Sequence, residues 1–367
     1  MAERLRFPYM FWAHRESFLS PYCLSQSGMP VPSTDFLGGL EVDIGHPGVD
    51  AEPALVAGLA ELFRVEPERV LVTIGASSAM HMAAMQWFRP GARVVAELPS
   101  YEPLRALPEF FGADLRLLER RATDGWTVNP EVVREGLAGH SGPGHVILTN
   151  LHNPTGVLLE ADRVRAIARE ADRAGGVLVS CEAYMEFLPN ERRVHAFAIA
   201  PNAVSIGTFT KAYGLGALRV GWMILGEGLV GSSEGLLDKF YLGYVDPPTP
   251  SLRGAQRALE HLPELQRPLR EIEAKSRPHW ERWLRETPGI DAVVPEFGII
   301  AFPRVEGIHN TAALVPFLQK EFQVDVVPGE YFGRPGHLRV GCGVPEATLV
   351  EGLARLGRGL DAWRARR

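Results

Sequence analysis

Through the first two-thirds of the chain, short apolar runs, the first of them β-branched, alternate with stretches of helical spacing. The runs are Val70 to Ile74, Val94 to Ala96, Leu115 to Leu118, Val146 to Leu148, Val177 to Val179 and Val204 to Ile206. Helical segments fall between most of them; one ahead of the first run spans about Pro53 to Phe63, with Pro53 suited to an opening turn. Strands that alternate with helices over short loops predict a mostly parallel sheet with helices on both faces, an α/β fold. Ligand sites in such sheets gather at the carboxyl ends of strands. Polar clusters sit there in this sequence: Gly75-Ala76-Ser77, Tyr101, Asn150 to Gly156, Cys181 to Tyr184 and Thr208 to Lys211.

The run Asp246-Pro247-Pro248-Thr249-Pro250-Ser251 is the clearest boundary signal. Beyond it a long helical region reaches about Arg285. Gly298 to Phe302 reads as a strand, Thr311 to Phe322 as helix, His337 to Gly341 as strand and Leu349 to Trp363 as a closing amphipathic helix. That is a small α+β domain. The first forty or so residues read as an irregular arm that packs on another part of the protein. The expected division is therefore an arm over 1–42 that joins the small domain, a large domain over 43–245 and the small domain over 246–367.

Composition narrows the function classes. A net charge of −6 offers no basic field for nucleic acid or anionic lipid. Charges and prolines interrupt every apolar run, so no membrane span is expected. Three dispersed cysteines, Cys23, Cys181 and Cys342, make no disulfide framework and no paired metal site; they fit a reducing cytoplasm. The start of the chain lacks the long apolar core of a signal peptide.

The chemistry concentrates in Gly207-Thr208-Phe209-Thr210-Lys211-Ala212-Tyr213-Gly214-Leu215-Gly216-Ala217-Leu218-Arg219. A lysine among apolar residues is driven toward its neutral, nucleophilic form, because burial disfavours charge. Hydroxyls and an arginine beside it suit a phosphate. An amine nucleophile next to a phosphate clamp is what pyridoxal phosphate (PLP) asks of a protein. A plain lysine beside a glycine turn is the competing reading of this stretch alone. A nicotinamide site is excluded, since Arg219 stands where the dinucleotide fingerprint needs its third glycine.

Four further motifs join it. Gly75-Ala76-Ser77-Ser78 opens a helix, whose N–H groups and dipole suit a phosphate. Tyr101 follows a strand, where a ring can stack on a flat cofactor. Asn153-Pro154-Thr155-Gly156 is a tight turn that presents an amide. Cys181-Glu182-Ala183-Tyr184 ends another strand and presents a phenol. In this order the motifs resemble the class I/II aminotransferases, PLP-dependent enzymes of fold type I, from about residue 45 to the C-terminus. The resemblance implies that Lys211 forms the Schiff base and then shuttles a proton at the substrate Cα. It implies that Ser77, Thr208, Arg219 and the Ala76 amide hold the phosphate, with Thr210 supporting that cup. Asn153 and Tyr184 would hydrogen-bond the ring's phenolic oxygen, and Tyr101 would stack on the ring. Arg339 would grip the substrate α-carboxylate, and Asn153 would share in substrate binding. A small amino acid substrate and a homodimer follow from the family. His152, Phe11, Trp12 and Tyr22 are further candidates for lining the site.

Two positions depart from the family pattern. Cys181 occupies the place of the aspartate that keeps the pyridine nitrogen protonated; a neutral thiol carries no charge to do so. Glu182 is next, but in a strand it points the other way. A less protonated ring and slow transamination are the expectation. Gly45-His46-Pro47-Gly48 replaces a loop in which relatives often carry a tyrosine that reaches the neighbouring subunit's phosphate. The leading function is an aminotransferase-like PLP enzyme. Elimination, cyclisation, decarboxylation or oxidation on the same fold stays open, as does a catalytically silent PLP-binding protein.

Overall fold

The computed structural model describes residues 7–15, 17, 20–33, 35 and 48–366. His46 and the expected boundary near residue 42 lie outside these. The chain begins with helix α1 (Pro8–Arg15) and the short strand β1 (Tyr22–Cys23), followed by α2 (Ala51–Phe63) and β2 (Val70–Thr73). Then come α3 (Gly75–Trp87), β3 (Arg93–Leu98), α4 (Glu102–Phe110), β4 (Asp114–Glu119), α5 (Pro130–Leu137) and β5 (Gly144–Thr149). The alternation continues with α6 (Ala161–Arg173), β6 (Leu178–Cys181), α7 (Ala196–Ile199), β7 (Ala203–Thr208), β8 (Gly221–Leu225), α8 (Ser233–Tyr244) and α9 (Thr249–Glu260).

Strands β2 to β8 form one seven-stranded sheet in the order β2-β8-β7-β6-β5-β3-β4. Only β8 runs against its neighbours, pairing antiparallel with both β2 and β7. The central strands are buried along their whole length, which is why they read as continuous apolar runs rather than alternating ones. All six expected runs are strands. The seventh strand, β8, was not anticipated; its apolar run follows directly on the glycine-rich bend after Lys211.

The C-terminal part holds helices α10 (Leu262–Leu265), α11 (Arg267–Glu271) and α12 (Arg277–Glu286), then β9 (Ile290–Asp291), β10 (Ile300–Ala301), β11 (Arg304–Val305) and α13 (Thr311–Phe317). It closes with β12 (Val324–Asp325), β13 (Val327–Pro328), β14 (Leu338–Gly341) and α14 (Glu346–Arg364). β14 lies between β10 and β13 in a three-stranded sheet. The arm is not wholly irregular. Its α1 buries Tyr9 and Trp12 against Phe302, Val327 and Phe332. The Glu102 carboxylate accepts from the Tyr9 and Met10 N–H groups (3.3 and 3.0 Å), satisfying donors at the helix start that have no partner within the helix. β1 pairs parallel with β12.

Candidate active site

The carboxyl ends of β5, β6 and β7 open on a cavity of about 480 Å³. A larger surface groove of about 870 Å³ lies elsewhere, beside α2 and α9, with none of the residues named above. Lys211 sits in the turn just beyond β7 and contributes to the cavity wall. Its Nζ donates to Ser27 Oγ at 3.2 Å, and its carbonyl accepts from Met29 N–H at 2.8 Å. A Cβ at Gly28 would lie 3.3 Å from the Thr210 carbonyl oxygen, so a glycine lets the arm pack this closely on the lysine turn. Burial pulls the Lys211 ammonium below the ordinary lysine range; the positive charges of Arg339 and Arg219 push the same way, against Tyr9 and Cys181. Lys211 is thereby biased toward a free amine.

At one end of the cavity α3 begins. Gly75 has a φ of +73°, and a Cβ there would come within 2.8 Å of Arg219 Nη2. A Cβ on Gly221 would come within 2.7 Å of the Ala76 nitrogen. Those glycines let the strand β8, the helix start and the arginine converge. Ser77, Ala76, Thr208, Thr210 and Arg219 all line the cavity here. The Thr208 hydroxyl donates to the Val220 carbonyl (3.0 Å) and accepts from Thr210 N–H (3.2 Å), bracing the turn. Ser77 and Arg219 are exposed, and among the described residues no carboxylate pairs with Arg219. A guanidinium, a hydroxyl and helix-start N–H groups that share no anion among the described residues suit a phosphate.

Arg339 lies in β14, only 2% exposed, with its guanidinium 5.1 Å from the Phe332 ring and 5.9 Å from the Tyr9 ring. It donates to Asn153 Oδ1 (3.0 Å) and to the Ser25 carbonyl (2.9 Å). Its buried Nε has no acceptor among the described residues. A buried cation without a carboxylate is costly unless a ligand supplies one. Asn153 reaches on to the Tyr184 hydroxyl at 3.4 Å. Tyr101 meets the Tyr9 ring edge-on at 5.6 Å, and its hydroxyl points to Met10 Sδ. The residues present therefore fit pyridoxal phosphate: an amine of depressed basicity shares the cavity with two cations that pair with no carboxylate among the described residues.

Cys181 also lines the cavity. Burial pushes its thiol up to about 12, so it is neutral at ordinary pH. Glu182 does turn away: its carboxylate meets His195 Nδ1 (2.6 Å) and Ala196 N–H (2.9 Å). His152 is fully buried. Its Nδ1 lies 2.7 Å from Thr155 Oγ1 and its Nε2 is 2.9 Å from the Pro99 carbonyl, both away from the cavity. Trp12 lines the cavity, whereas Phe11 is exposed and Tyr22 packs under Arg355.

Several groups here were missed by the sequence reading. Ser25, Ser27 and Tyr9 come from the arm and have no spacing relation to Lys211. Thr149 lines the cavity beside Cys181.

Comparison with known proteins agrees with the fold and the family resemblance. The sequence matches the family described as aminotransferase class I and II over residues 45–356. It is 30% identical over 314 residues to capreomycidine synthase of Streptomyces vinaceus, covering 83% of this chain and 78% of that protein. A PLP-dependent aminotransferase structure from Streptococcus suis superposes with a TM-score of 0.85 at 22% identity, covering 98% of both chains. The structure of a PLP-dependent cyclase, OrfR, superposes with a TM-score of 0.80 at 26% identity, covering 99% of this chain and 98% of that one. The chain belongs to the class I and II aminotransferase family and is a pyridoxal-phosphate-dependent enzyme of fold type I that acts on an amino acid.

Proposed function

We propose that Lys211 is the covalent anchor and proton carrier of this enzyme. Ser77, Thr208, Thr210, Arg219 and the Ala76 amide hold the phosphate. Asn153 and Tyr184 hold the ring's phenolic oxygen, Tyr101 covers the ring, Cys181 faces its nitrogen, and Arg339 with Asn153 receives the substrate α-carboxylate. The observation that carries this reading is the pair of cations, Arg219 and Arg339, that meet no carboxylate among the described residues and share the cavity with one depressed lysine.

Bound PLP supplies an electron-withdrawing ring that weakens the bonds at the substrate Cα. The chain's own residues do the rest. Arg339 fixes the carboxylate and so orients the Cα bonds. Lys211 Nζ, its basicity lowered by burial, takes a proton from Cα and returns it elsewhere. Ser27 holds that nitrogen in place. The α1 helix contributes Tyr9 and Trp12 to the cavity wall.

The arm over 1–42, the large domain over 43–245 and the small domain over 246–367 are the proposed division. A homodimer in the cytoplasm is the proposed setting; the three buried, unpaired cysteines support a reducing compartment. Among the described residues, no helix is long and apolar enough to cross a membrane.

A second reading is a different reaction on the same cofactor, cyclisation above all. The capreomycidine synthase and cyclase relatives favour it. The test is an absorbance titration of the holoenzyme with a panel of amino acids, with and without a keto-acid acceptor, followed by product analysis. Transamination needs the acceptor for turnover and yields a keto acid. Cyclisation needs none and keeps the nitrogen in the product. An unchanged spectrum with every amino acid would remove both readings.

A further inference from the structure

Behind the Cys181 end of the cavity lies a carboxylate that the sequence motif does not reveal. Thr149 and Cys181 are register partners on the adjacent parallel strands β5 and β6, and both line the cavity. Behind Thr149 lies Glu97, near the end of β3 and 2% exposed. Glu97 Oε1 accepts from the Thr149 hydroxyl (2.7 Å) and from the Thr149 N–H (2.8 Å). Glu97 Oε2 pairs with Arg120 Nη2 at 2.5 Å, and Arg120 is itself fully buried, with Nη1 donating to the Trp126 carbonyl. Burial raises the Glu97 carboxyl; Arg120 and the two Thr149 donors pull it back toward its ionised form. The nearby His152, 3.6 Å away, is held neutral by burial and adds no competing charge.

The hydroxyl's hydrogen bonds can be counted. Thr149 has one proton, and it goes to Glu97. One lone pair of Oγ1 takes the Asn153 N–H at 3.0 Å. One lone pair remains, so toward the cavity this hydroxyl can only accept. A group that only accepts, polarised by a carboxylate behind it, favours an N–H partner over a bare nitrogen. The neutral Cys181 thiol carries no charge of its own and does not impose that choice.

Resting on the PLP reading above, we propose that Glu97, acting through the Thr149 hydroxyl, supplies the negative pole that Cys181 lacks and keeps the cofactor's pyridine nitrogen protonated. Glu97 is then a positioning residue: it sets which way the Thr149 hydrogen bond points. The expectation drawn from Cys181 alone, a poorly protonated ring, is replaced by a protonated ring held by a different strand.

The test is ¹⁵N NMR of protein reconstituted with PLP labelled at the pyridine nitrogen, at one near-neutral pH. The wild-type signal is expected at the pyridinium position. Glu97→Gln and Thr149→Val are expected to move it to the neutral-pyridine position, while Thr149→Ser and Cys181→Ala leave it in place. Thr149→Val preserves shape and the buried ion pair, so it decides the matter even if Glu97→Gln does not fold. A neutral wild-type nitrogen, or a signal that moves with Cys181→Ala but not with Thr149→Val, would overturn the proposal while leaving PLP binding intact. A wild-type protein that takes up no label overturns the PLP reading and this proposal with it.

Discussion

The two ends of the cavity solve opposite problems. At the Arg219 end, Arg219 and Ser77 are exposed beside the start of α3, so the proposed phosphate site keeps its charge open to a ligand. At the Cys181 end, Glu97, Arg120 and Thr149 are dry and hydrogen-bonded to one another. The first end stores binding capacity; the second stores a fixed electrostatic arrangement and is part of the fold. Mutations should therefore separate them: one end reports in cofactor affinity, the other in protein stability.

Lys211, which both ends serve, gives the largest effect. Lys211→Ala should abolish turnover while the apoprotein melts no lower than wild type, because the change removes a buried amine; kinetic assays and thermal melts check both. Next is the dry end. Arg120→Leu leaves Glu97 buried without its cation and should lower stability by about 3–5 kcal/mol, measured by denaturant unfolding. The double change Glu97→Leu with Arg120→Leu should recover much of that loss. Equal loss in the double variant would mean that packing rather than charge matters there. Arg219→Ala, at the open end, should leave apoprotein stability within about 0.5 kcal/mol. It should weaken PLP binding by about 1.5–3 kcal/mol, roughly ten- to hundredfold, read by fluorescence titration of the apoprotein. A large stability loss in Arg219→Ala would erase the contrast between the ends.

The smallest effect concerns pH and the layer behind Cys181. Burial pushes His195 down, but the Glu182 hydrogen bond and the charges of Glu182 and Glu186 outweigh it and raise its pKa. A raised folded-state value means stability is present below the ordinary histidine range and is lost as pH rises through the raised value. The gap in melting temperature between wild type and His195→Gln should narrow over that window. A constant gap would show that His195 contributes packing only.

The same contrast explains what was legible in the sequence. Thr208, Thr210, Lys211 and Arg219 lie in one continuous segment, so their spacing alone suggested a phosphate beside an amine. Glu97, Thr149 and Cys181 lie on three strands and meet only through sheet register, which no local pattern encodes. Helix α1 was read as irregular because its start is held by Glu102 from α4, not by a cap of its own. Strand β8 was missed because, buried on both faces, it shows no alternation and follows a glycine-rich bend. The expected helix over Thr311 to Phe322 does form, but it widens to π geometry after Phe317, next to the internal Pro316.

The central claim is a covalent bond between the Lys211 side-chain nitrogen and the cofactor aldehyde. Borohydride reduction of the PLP-loaded protein, followed by proteolysis and mass spectrometry, tests it most directly. The prediction is one reduced pyridoxyl adduct, carried by the peptide that contains Lys211. Label on Lys239, Lys275 or Lys320, or on no lysine at all, would contradict it.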